Sequence, residues 1–310
     1  MIIYKYVSEK VAKETIEKKK VLVRKPIEFN DPFDCNFYCS EKEKQRAFKL
    51  FINFQFFKAL YLESVIKNKQ SIFGKCNTKL LKYNLKTSAD NAIKQKKYKY
   101  DCFVAFYQRL AQALTGKSVD KYSQEFEEKI EDALEQVRAV SLVGCFSLKN
   151  DSMLMWSHYA KSHSGVCIEY EVDEKDFKKV HYKRKVRSFK LTKVLEIIFG
   201  HELAKLDINY EEDETFRFAV EPIFEKSCEW KYEKEIRYVC SIRQPNVNIT
   251  DGLDLNGNPA LFLSMPNIKT IYVGCNMSDE SIKEIKDVAG GIPILKMKKI
   301  KGKYSVKPEE

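Results

Sequence analysis

The clearest candidate for chemistry in this sequence is a pair of glutamates two positions apart, Glu233 and Glu235, followed at the same spacing by Arg237. The surrounding residues predict a strand over 233–242, and alternate side chains of a strand point to the same face. Two carboxylates on one face oppose each other's ionisation and raise one pKa, unless a cation such as Arg237 joins them. The group is therefore either a charged strand edge with an ion pair, or a site in which a carboxylate binds a ribose hydroxyl or stabilises a developing cation.

A second group of rare side chains lies between residues 144 and 170, which hold two of the four histidines and one of the two tryptophans. A helix predicted over 153–161 carries Trp156, His158 and Tyr159 on neighbouring positions. His158 could act as a general acid or base, because histidine changes its charge near neutral pH. The alternative is a hydrogen-bonded core histidine, and the two aromatic residues are equally consistent with the walls of a site and with core packing.

A loop near the N-terminus places Asn30 and Asp31 directly before Pro32. Proline holds the preceding residue extended, and asparagine and aspartate favour turns by bonding to their own backbone. Phe29 and Phe33 are expected to pin this loop to the core. The loop is either a structural Asx-turn or part of a substrate-binding loop.

The composition indicates a cytoplasmic protein with reduced cysteines. Hydrophobic residues make up 44% of the 310 positions, enough for a sizeable core, and no segment is long and apolar enough to cross a membrane. No signal peptide is visible, and the nine scattered cysteines lack the spacing of a zinc site. The pairs Asp31/Asp34 and Glu233/Glu235 could gather a divalent ion, as in a metal-dependent nuclease, but their spacing is not diagnostic and no metal is expected.

The net charge of +11 favours a polyanionic partner at long range. Lysine and arginine are concentrated at 94–100 and at 178–187, and the second run alternates basic and apolar residues like a strand with one solvated face. The alternative is an ordinary solvated strand. A nucleic acid or a protein is therefore the expected partner, and the sequence does not determine the oligomeric state.

The pattern of elements predicts an α+β fold with a mixed, mostly antiparallel β core, as a single domain over residues 1–310. A strand over 2–7, a helix over 9–18 capped by Ser8 and a strand over 21–24 open the chain. Residues 41–140 are predicted to be an all-helical insertion between these elements and the main β core. The later strands are predicted at 141–147, 165–171, 180–190, 233–242, 261–264, 269–274 and 293–299, and the later helices at 192–206, at 210–226 and after Ser278.

Several segments together resemble a bacterial family known only as a domain of unknown function, numbered twenty-nine seventy-one. The resemblance spans nearly the whole chain apart from the helical insertion, and the family name implies no activity. The segments that carry it are 3–6, 29–34, 145–147, 155–160, 165–169, 230–237 and 271–274.

The order of an N-terminal strand, a later strand ending in Phe-Ser and a still later Glu-x-Glu also resembles the layout of ADP-ribosyltransferases. In that fold a first-strand Arg or His binds NAD, a Ser or Tyr supports the nicotinamide pocket, and a final Glu is catalytic. By position, the resemblance assigns the first role to Tyr4, Lys5 or Tyr6, the second to Ser147, and the third to Glu235 with Glu233 beside it. The first strand lacks the family's Arg or His, and Lys5 could bind a pyrophosphate only as a point charge.

The resemblance implies an enzyme that cleaves the nicotinamide N-glycosidic bond of NAD and transfers ADP-ribose to a nucleic acid or a protein. A carboxylate bonded to the ribose would stabilise the oxocarbenium character of the transition state. The alternative is a non-catalytic module that binds nucleic acid or protein through its basic surface. The candidate residues are Glu235, Glu233 and His158 for catalysis, and Tyr4, Lys5, Tyr6, Asn30, Asp31, Ser147, Trp156, Tyr159 and Arg237 for NAD binding.

Overall fold

A computed structural model describes residues 1–35, 37–51, 119–195, 220–242 and 248–309. The chain divides into two compact units, the first formed by residues 1–37, 136–187 and 219–310 and the second by residues 38–135 and 188–218. Most of the predicted insertion over 41–140 lies outside the described residues, so that boundary stays a prediction. No helix in the described ranges is long and apolar enough to span a bilayer.

The described residues include thirteen strands and four α-helices, along with shorter 3₁₀ turns. The strands are β1 Ile2–Val7, β2 Lys20–Val23, β3 Ser141–Ser147, β4 Val166–Glu171, β5 Phe177–Lys179, β6 His181–Lys183, β7 Glu225–Ser227, β8 Glu235–Ser241, β9 Ile249–Leu253, β10 Pro259–Ser264, β11 Ile268–Val273, β12 Ile294–Lys299 and β13 Val306–Pro308. The helices are α1 Glu9–Lys18, α2 Val119–Val140, α3 Met153–His158 and α4 Asp279–Val288. Residues 41–51 and 191–195 are also helical.

The first unit is built on an eight-stranded sheet in the order β13-β12-β11-β4-β1-β3-β8-β5. In this sheet β11 pairs with β12 in parallel, and the other neighbouring strands pair antiparallel. The α+β class and the mixed, mostly antiparallel β core predicted from the sequence are therefore confirmed.

The two faces of this sheet differ because successive side chains of each strand point to opposite sides. The apolar face carries residues such as Ile3, Phe146, Ile168 and Ile236, and it packs against α1 and α4 in one large core. The opposite face, called the polar face below, carries tyrosines, acids and Arg237, and α3 packs over part of it. The candidate site lies on the polar face.

Helix α3 ends earlier than the sequence predicts. Ser152 caps it, accepting a hydrogen bond from the Met155 amide at 3.4 Å, but the helix stops at His158 instead of Lys161. Residues 161–163 adopt left-handed backbone with positive φ, which a continuing right-handed helix excludes. The turn then reaches Gly165, where a Cβ would stand 2.4 Å from the Val7 carbonyl oxygen, so a larger residue does not fit.

Two predicted elements differ in the structure because pairing between strands outweighs the preference of the local sequence. The strand predicted over 180–190 is present only at β6, because residues 184–190 form no strand. Val180, between β5 and β6, donates its amide to the Glu235 carbonyl at 3.0 Å. The helix predicted over 210–226 is wrong at its C-terminal end, which lies within the described residues. Residues 221–224 form a 3₁₀ turn, and β7 follows and pairs in parallel with β6. The part of that helix before residue 220 lies outside the described residues.

The second unit has its own apolar core. Helix α2 contributes an apolar stripe to it, since Phe126 and Ile130 are buried and Leu134 packs beside them. Cys39, Phe51 and other residues of the same unit complete this core. The basic run over 94–100 lies outside the described residues.

Candidate functional site

Five charged side chains are buried together on the polar face and form what we call the ion cluster. Burying a charge costs several kcal/mol unless opposite charges and hydrogen bonds compensate it. The side chains are 8% exposed or less, and three of them are acids and two are bases. The ion cluster consists of Asp34, Lys226, Glu233, Glu235 and Arg237.

Arg237 is the centre of the ion cluster and is fully buried. Its guanidinium binds the Asp34 carboxylate through two parallel bonds of 3.0 and 2.7 Å and the Glu235 carboxylate through bonds of 2.7 and 3.0 Å. It also donates to the Ile223 carbonyl at 2.5 Å. Only a guanidinium offers enough donors in a plane for this arrangement, so Arg237 determines how the two acids are held.

Lys226 is the second cation and joins all three acids. Its ammonium lies 2.7 Å from Glu233 Oε2, 3.2 Å from Glu235 Oε2 and 3.3 Å from Asp34 Oδ2. Burial alone would lower the pKa of this lysine, but the three carboxylates outweigh it and raise the pKa above its ordinary value. Lys226 therefore stays charged and holds Glu233 and Glu235 near each other.

The two glutamates have pKa values moved in opposite directions. Burial raises the pKa of Glu233 above its ordinary value, and the charge of Lys226 offsets that only in part. Burial also opposes ionisation of Glu235, but the charge and hydrogen bonds of Arg237 outweigh it and lower the pKa to about 2. When the pKa values of two neighbouring acids differ in this way, one acid can transfer a proton while the other stays ionised and stabilises positive charge.

Glu233 is held in place by Ser147 at the end of β3 and by Tyr159, the residue directly after α3. The Ser147 hydroxyl donates to the Glu233 carbonyl at 2.6 Å and accepts from the Lys149 amide at 3.1 Å. The Tyr159 hydroxyl donates to Glu233 Oε1 at 2.6 Å. Lys234 then adopts a left-handed conformation, φ 46°, which turns the chain from Glu233 into β8. Ser147 and Tyr159 thus position this carboxylate.

A polar row crosses the sheet at the level of Glu235. Four neighbouring strand pairs are in direct register there, which places the five side chains of one row on the same face. Within the row the Glu169 carboxylate accepts from the Tyr272 hydroxyl at 2.8 Å and from the Thr270 hydroxyl at 3.3 Å. The polar row, in spatial order, is Thr270, Glu169, Tyr4, Ser147 and Glu235.

The structure therefore brings most of the predicted residues to one face. Tyr6 and Trp156 lie there as core residues, since their rings meet edge to face at 5.3 Å. Their polar atoms are bonded to loop carbonyls, with Tyr6 donating to Lys149 and Trp156 to Asn150 at 2.8 and 2.7 Å. The predicted residues that share the polar face are Tyr4, Tyr6, Ser147, Trp156, Tyr159, Glu233, Glu235 and Arg237.

Lys5 alternates with Tyr4 and Tyr6 and does not join them. Its ammonium donates to the Cys145 carbonyl at 2.7 Å and lies 5.4 Å from the centre of the Phe146 ring. Burial lowers the pKa of this lysine. Of the three first-strand candidates, Tyr4 is the one that is in register with Ser147.

The predicted N-terminal loop is a turn beside the site. Asp31 Oδ1 accepts a hydrogen bond from the Phe33 amide at 2.9 Å, as expected for the structural Asx-turn. Asn30 is exposed. The expectation that Phe33 pins the loop is wrong, because this ring is 70% exposed. Phe29 does lie inward, 5.6 Å from the Arg237 guanidinium.

His158 is exposed at the end of α3 and belongs to a series of three rings that we call the aromatic ladder. The ring centres of Trp230 and Tyr232 are 6.0 Å apart, and those of Tyr232 and His158 are 6.1 Å apart. Lys226 lies 4.9 Å from the centre of the Trp230 ring, so the aromatic ladder borders the ion cluster.

Three polar residues of the site, Asp34, Lys226 and Tyr182, have no clear signal in the sequence. Asp34 and Lys226 come from distant segments, and nothing in their neighbourhood indicates that they reach Arg237 or Glu233. Tyr182, whose hydroxyl accepts from the Glu235 amide at 2.7 Å, lies in a run that reads as basic. Glu169 does have a signal, because it is an acid that directly follows the apolar residues Val166, Cys167 and Ile168.

The metal-ion alternative has no ligand set in the part of the chain that the structure describes. No group of three or more His, Cys, Asp or Glu residues there could hold a metal ion. Glu233 and Glu235 instead take Lys226 and Arg237 as their cations, and Asp31 faces its own turn.

Comparison with known proteins gives one match. Residues 155–238 match the family model described as "Protein of unknown function (DUF2971)". This segment, less than half of the chain, runs from α3 to β8 and contains the two glutamates, Lys226 and Arg237. The match supports the resemblance to that family, whose description names no activity. The chain has no significant match among curated proteins or among solved structures.

Proposed function

We propose that this protein is an ADP-ribosyltransferase-like enzyme that binds NAD on the polar face and cleaves its nicotinamide N-glycosidic bond. The observation that carries the proposal is the register of three adjacent strands, in which Tyr4 lies opposite Ser147 and Ser147 opposite Glu235. These are the positions that the resemblance assigns to NAD binding, to the nicotinamide pocket and to catalysis. Neighbouring strands lie about 4.8 Å apart, so Tyr4 and Glu235 stand roughly 10 Å from each other.

Glu235 suits the stabilisation of positive charge. When the bond between C1′ and the nicotinamide nitrogen breaks, the electron pair leaves with nicotinamide, and positive charge develops on C1′ and the ring oxygen. With a pKa lowered to about 2, Glu235 is ionised at all physiological pH values. A fixed carboxylate in a water-poor site stabilises such charge without having to reorganise.

Glu233 suits proton transfer. After nicotinamide has left, a nucleophile of the acceptor forms a bond to C1′ and must lose a proton. Burial raises the pKa of Glu233 toward the range in which a carboxylate accepts a proton effectively. Tyr159 and Lys226 hold it through bonds of 2.6 and 2.7 Å, so its orientation is fixed before the substrate binds.

Tyr4 takes the place of the family's Arg or His. Its side chain is half-buried and borders Tyr272 and Glu169, with the two tyrosine rings 6.3 Å apart. A phenol can donate a hydrogen bond to a phosphate or ribose oxygen, but it adds no charge. We therefore expect weaker NAD binding than an arginine would give.

Binding of NAD is the first test. NAD at 100 times its Kd should stabilise the folded protein by about 2.7 kcal/mol, seen as a rise in Tm. Tyr4→Phe should reduce this rise, while Tyr304→Phe, at a tyrosine that is 95% exposed, should leave it unchanged. An unchanged Tm of the wild-type protein at millimolar NAD would remove the basis of the proposal.

A second candidate function is a non-catalytic module that binds nucleic acid or protein. The observation in its favour is that the residues of the basic run over 178–187 are exposed, apart from Val180 and Tyr182. This module would bind its partner with a steep salt dependence and show no response to NAD. The same melting experiment therefore separates the two candidates.

A further inference from the structure

The strongest unassigned surface is the basic segment, residues 177–187. It contains six lysines and arginines and no acid, and all six side chains are exposed. Lys178 lies over the Phe224 ring and Arg187 is 3.9 Å from Glu225, whereas the other four have no acidic partner within salt-bridge distance among the described residues. Cations left uncompensated in one short segment form a site that attracts phosphates.

The aromatic ladder lies beside the basic segment. Strand β6 of the basic segment pairs with β7, and the chain runs from β7 directly into the 3₁₀ turn 228–233 that carries Trp230 and Tyr232. The outer ring, His158, is exposed, and the other two are half-buried. Rings spaced about 6 Å apart at a surface leave room for a base to stack on or beside them.

Both features adjoin the candidate catalytic glutamates. The Val180 amide, in the middle of the basic segment, donates to the Glu235 carbonyl at 3.0 Å, and the Tyr182 hydroxyl accepts from the Glu235 amide at 2.7 Å. On the other side Tyr232 directly precedes Glu233 in the chain. The basic segment and the ladder therefore adjoin the backbone of residues 233–235, which carries the two glutamates.

We infer that the basic segment and the aromatic ladder together bind single-stranded nucleic acid, which is the acceptor of the ADP-ribose. The inference of an acceptor rests on the proposed function, while the binding itself does not. Lysines and arginines contact the phosphates, and the rings stack on bases. A single strand fits better than a duplex, because bases already stacked in a duplex offer no free face to the ladder.

The test is the binding of a fluorescein-labelled oligonucleotide of about 12 nucleotides, measured by anisotropy without NAD. The triple variant Lys179→Glu, Arg184→Glu, Lys185→Glu should weaken binding at least ~10-fold and flatten the slope of log K against log salt by about 2. The control Lys286→Glu, Lys301→Glu, Lys303→Glu changes the net charge equally at exposed positions elsewhere and should weaken binding less than about 3-fold.

The ladder has its own variant. Tyr232→Leu removes the central ring and should weaken binding to the single strand by ~5- to 100-fold, in line with about 1–3 kcal/mol per stacked base. Tyr304→Leu, at the tyrosine that is 95% exposed, should not change it. Melting curves show whether each variant is folded.

Three results would overturn the inference: no binding by the wild-type protein, equal weakening by the two triple variants, or a duplex of the same length that binds as tightly as the single strand. Since NAD is absent from these measurements, they cannot fail because NAD is not cleaved. Conversely, if the protein binds the single strand but does not cleave NAD, the inference about the binding surface is supported and only the proposed reaction is contradicted.

Discussion

Two carboxylate sites lie on the polar face of the same sheet, and they are stabilised in different ways. In the ion cluster, Glu235 is 5% exposed and is bonded to Arg237 and Lys226. In the polar row, Glu169 is half-buried and accepts hydrogen bonds from hydroxyl groups, including those of Tyr272 and Thr270.

The difference follows from the cost of removing charge from water. A half-buried carboxylate keeps part of its hydration, so hydroxyl donors are sufficient. A fully buried carboxylate needs an opposite charge in direct contact, and three of them need the network made by Lys226 and Arg237. The side chains of the ion cluster are thus strongly constrained, whereas Glu169 is less constrained because water can replace its hydroxyl partners.

Removing the central cation should have the largest effect. Arg237→Met leaves Asp34 and Glu235 buried with one cation between them, and we expect a loss of about 3–5 kcal/mol in the free energy of unfolding. Glu169→Gln, at the other end of the polar row, should cost about 1 kcal/mol, because the amide still accepts hydrogen bonds. Urea unfolding of the two variants measures both, and equal losses would contradict the comparison.

Acid should destabilise the protein through Glu235 and not through Glu233. The folded-state pKa of Glu235 is about 2 against an ordinary 4.5, so its contribution is complete above pH 4.5 and is lost as the pH falls toward 2. The shift corresponds to about 3 kcal/mol. The raised pKa of Glu233 has the opposite sign, because protonation of Glu233 favours the folded state. Glu235→Gln should therefore flatten the dependence of stability on pH between about 4.5 and 2, and Glu233→Gln should not; the reverse pattern would contradict the assignment.

A matched pair of tyrosines tests the same contrast on a smaller scale. Tyr159 and Tyr272 each donate to a glutamate, at 2.6 and 2.8 Å. Tyr159→Phe leaves the buried Glu233 short of a donor and should cost about 2 kcal/mol. Tyr272→Phe should cost about half of that, since water can replace the hydroxyl at the half-buried Glu169. Thermal unfolding distinguishes the two, and a greater loss for Tyr272→Phe would show that the ion cluster is not the more constrained end.

The smallest effect on stability should come from the basic segment. Reversing the charges of Lys179, Arg184 and Lys185 changes only exposed side chains, and each change should alter the free energy of unfolding by less than about 0.5 kcal/mol. A loss of several kcal/mol would mean that the segment is structural, and its effect on oligonucleotide binding would then have to be measured with Tyr232→Leu alone.

Much of the framework can be predicted from local sequence. The strands β1, β3, β4 and β8 follow from short apolar runs and their period of two, and the spacing of Glu233, Glu235 and Arg237 indicates a shared face. Helices α1 and α4 follow from their apolar periodicity and from the serines before them, although Ser8 makes no capping bond with its side chain.

The remaining residues of the ion cluster, Asp34 and Lys226, cannot be predicted from local sequence. Asp34 is 203 positions from Arg237, and no local pattern encodes a contact over that distance. Lys226 lies in a strand that exists because β6 pairs with it, and its sequence surroundings predict a helix instead. Sequence therefore indicates which glutamates share a face, but the cations that separate their pKa values are supplied by tertiary structure.

The most direct test of the proposed function is nicotinamide release from NAD, measured with the wild-type protein and with three Glu→Gln variants whose folding is checked by circular dichroism. We expect release by the wild-type protein, a loss of at least ~100-fold in Glu235→Gln, and a substantial loss in Glu233→Gln. The control Glu171→Gln, at a side chain that is 57% exposed on β4, should retain full activity. Absence of nicotinamide release by the wild-type protein, or undiminished release by folded Glu235→Gln, would contradict the account.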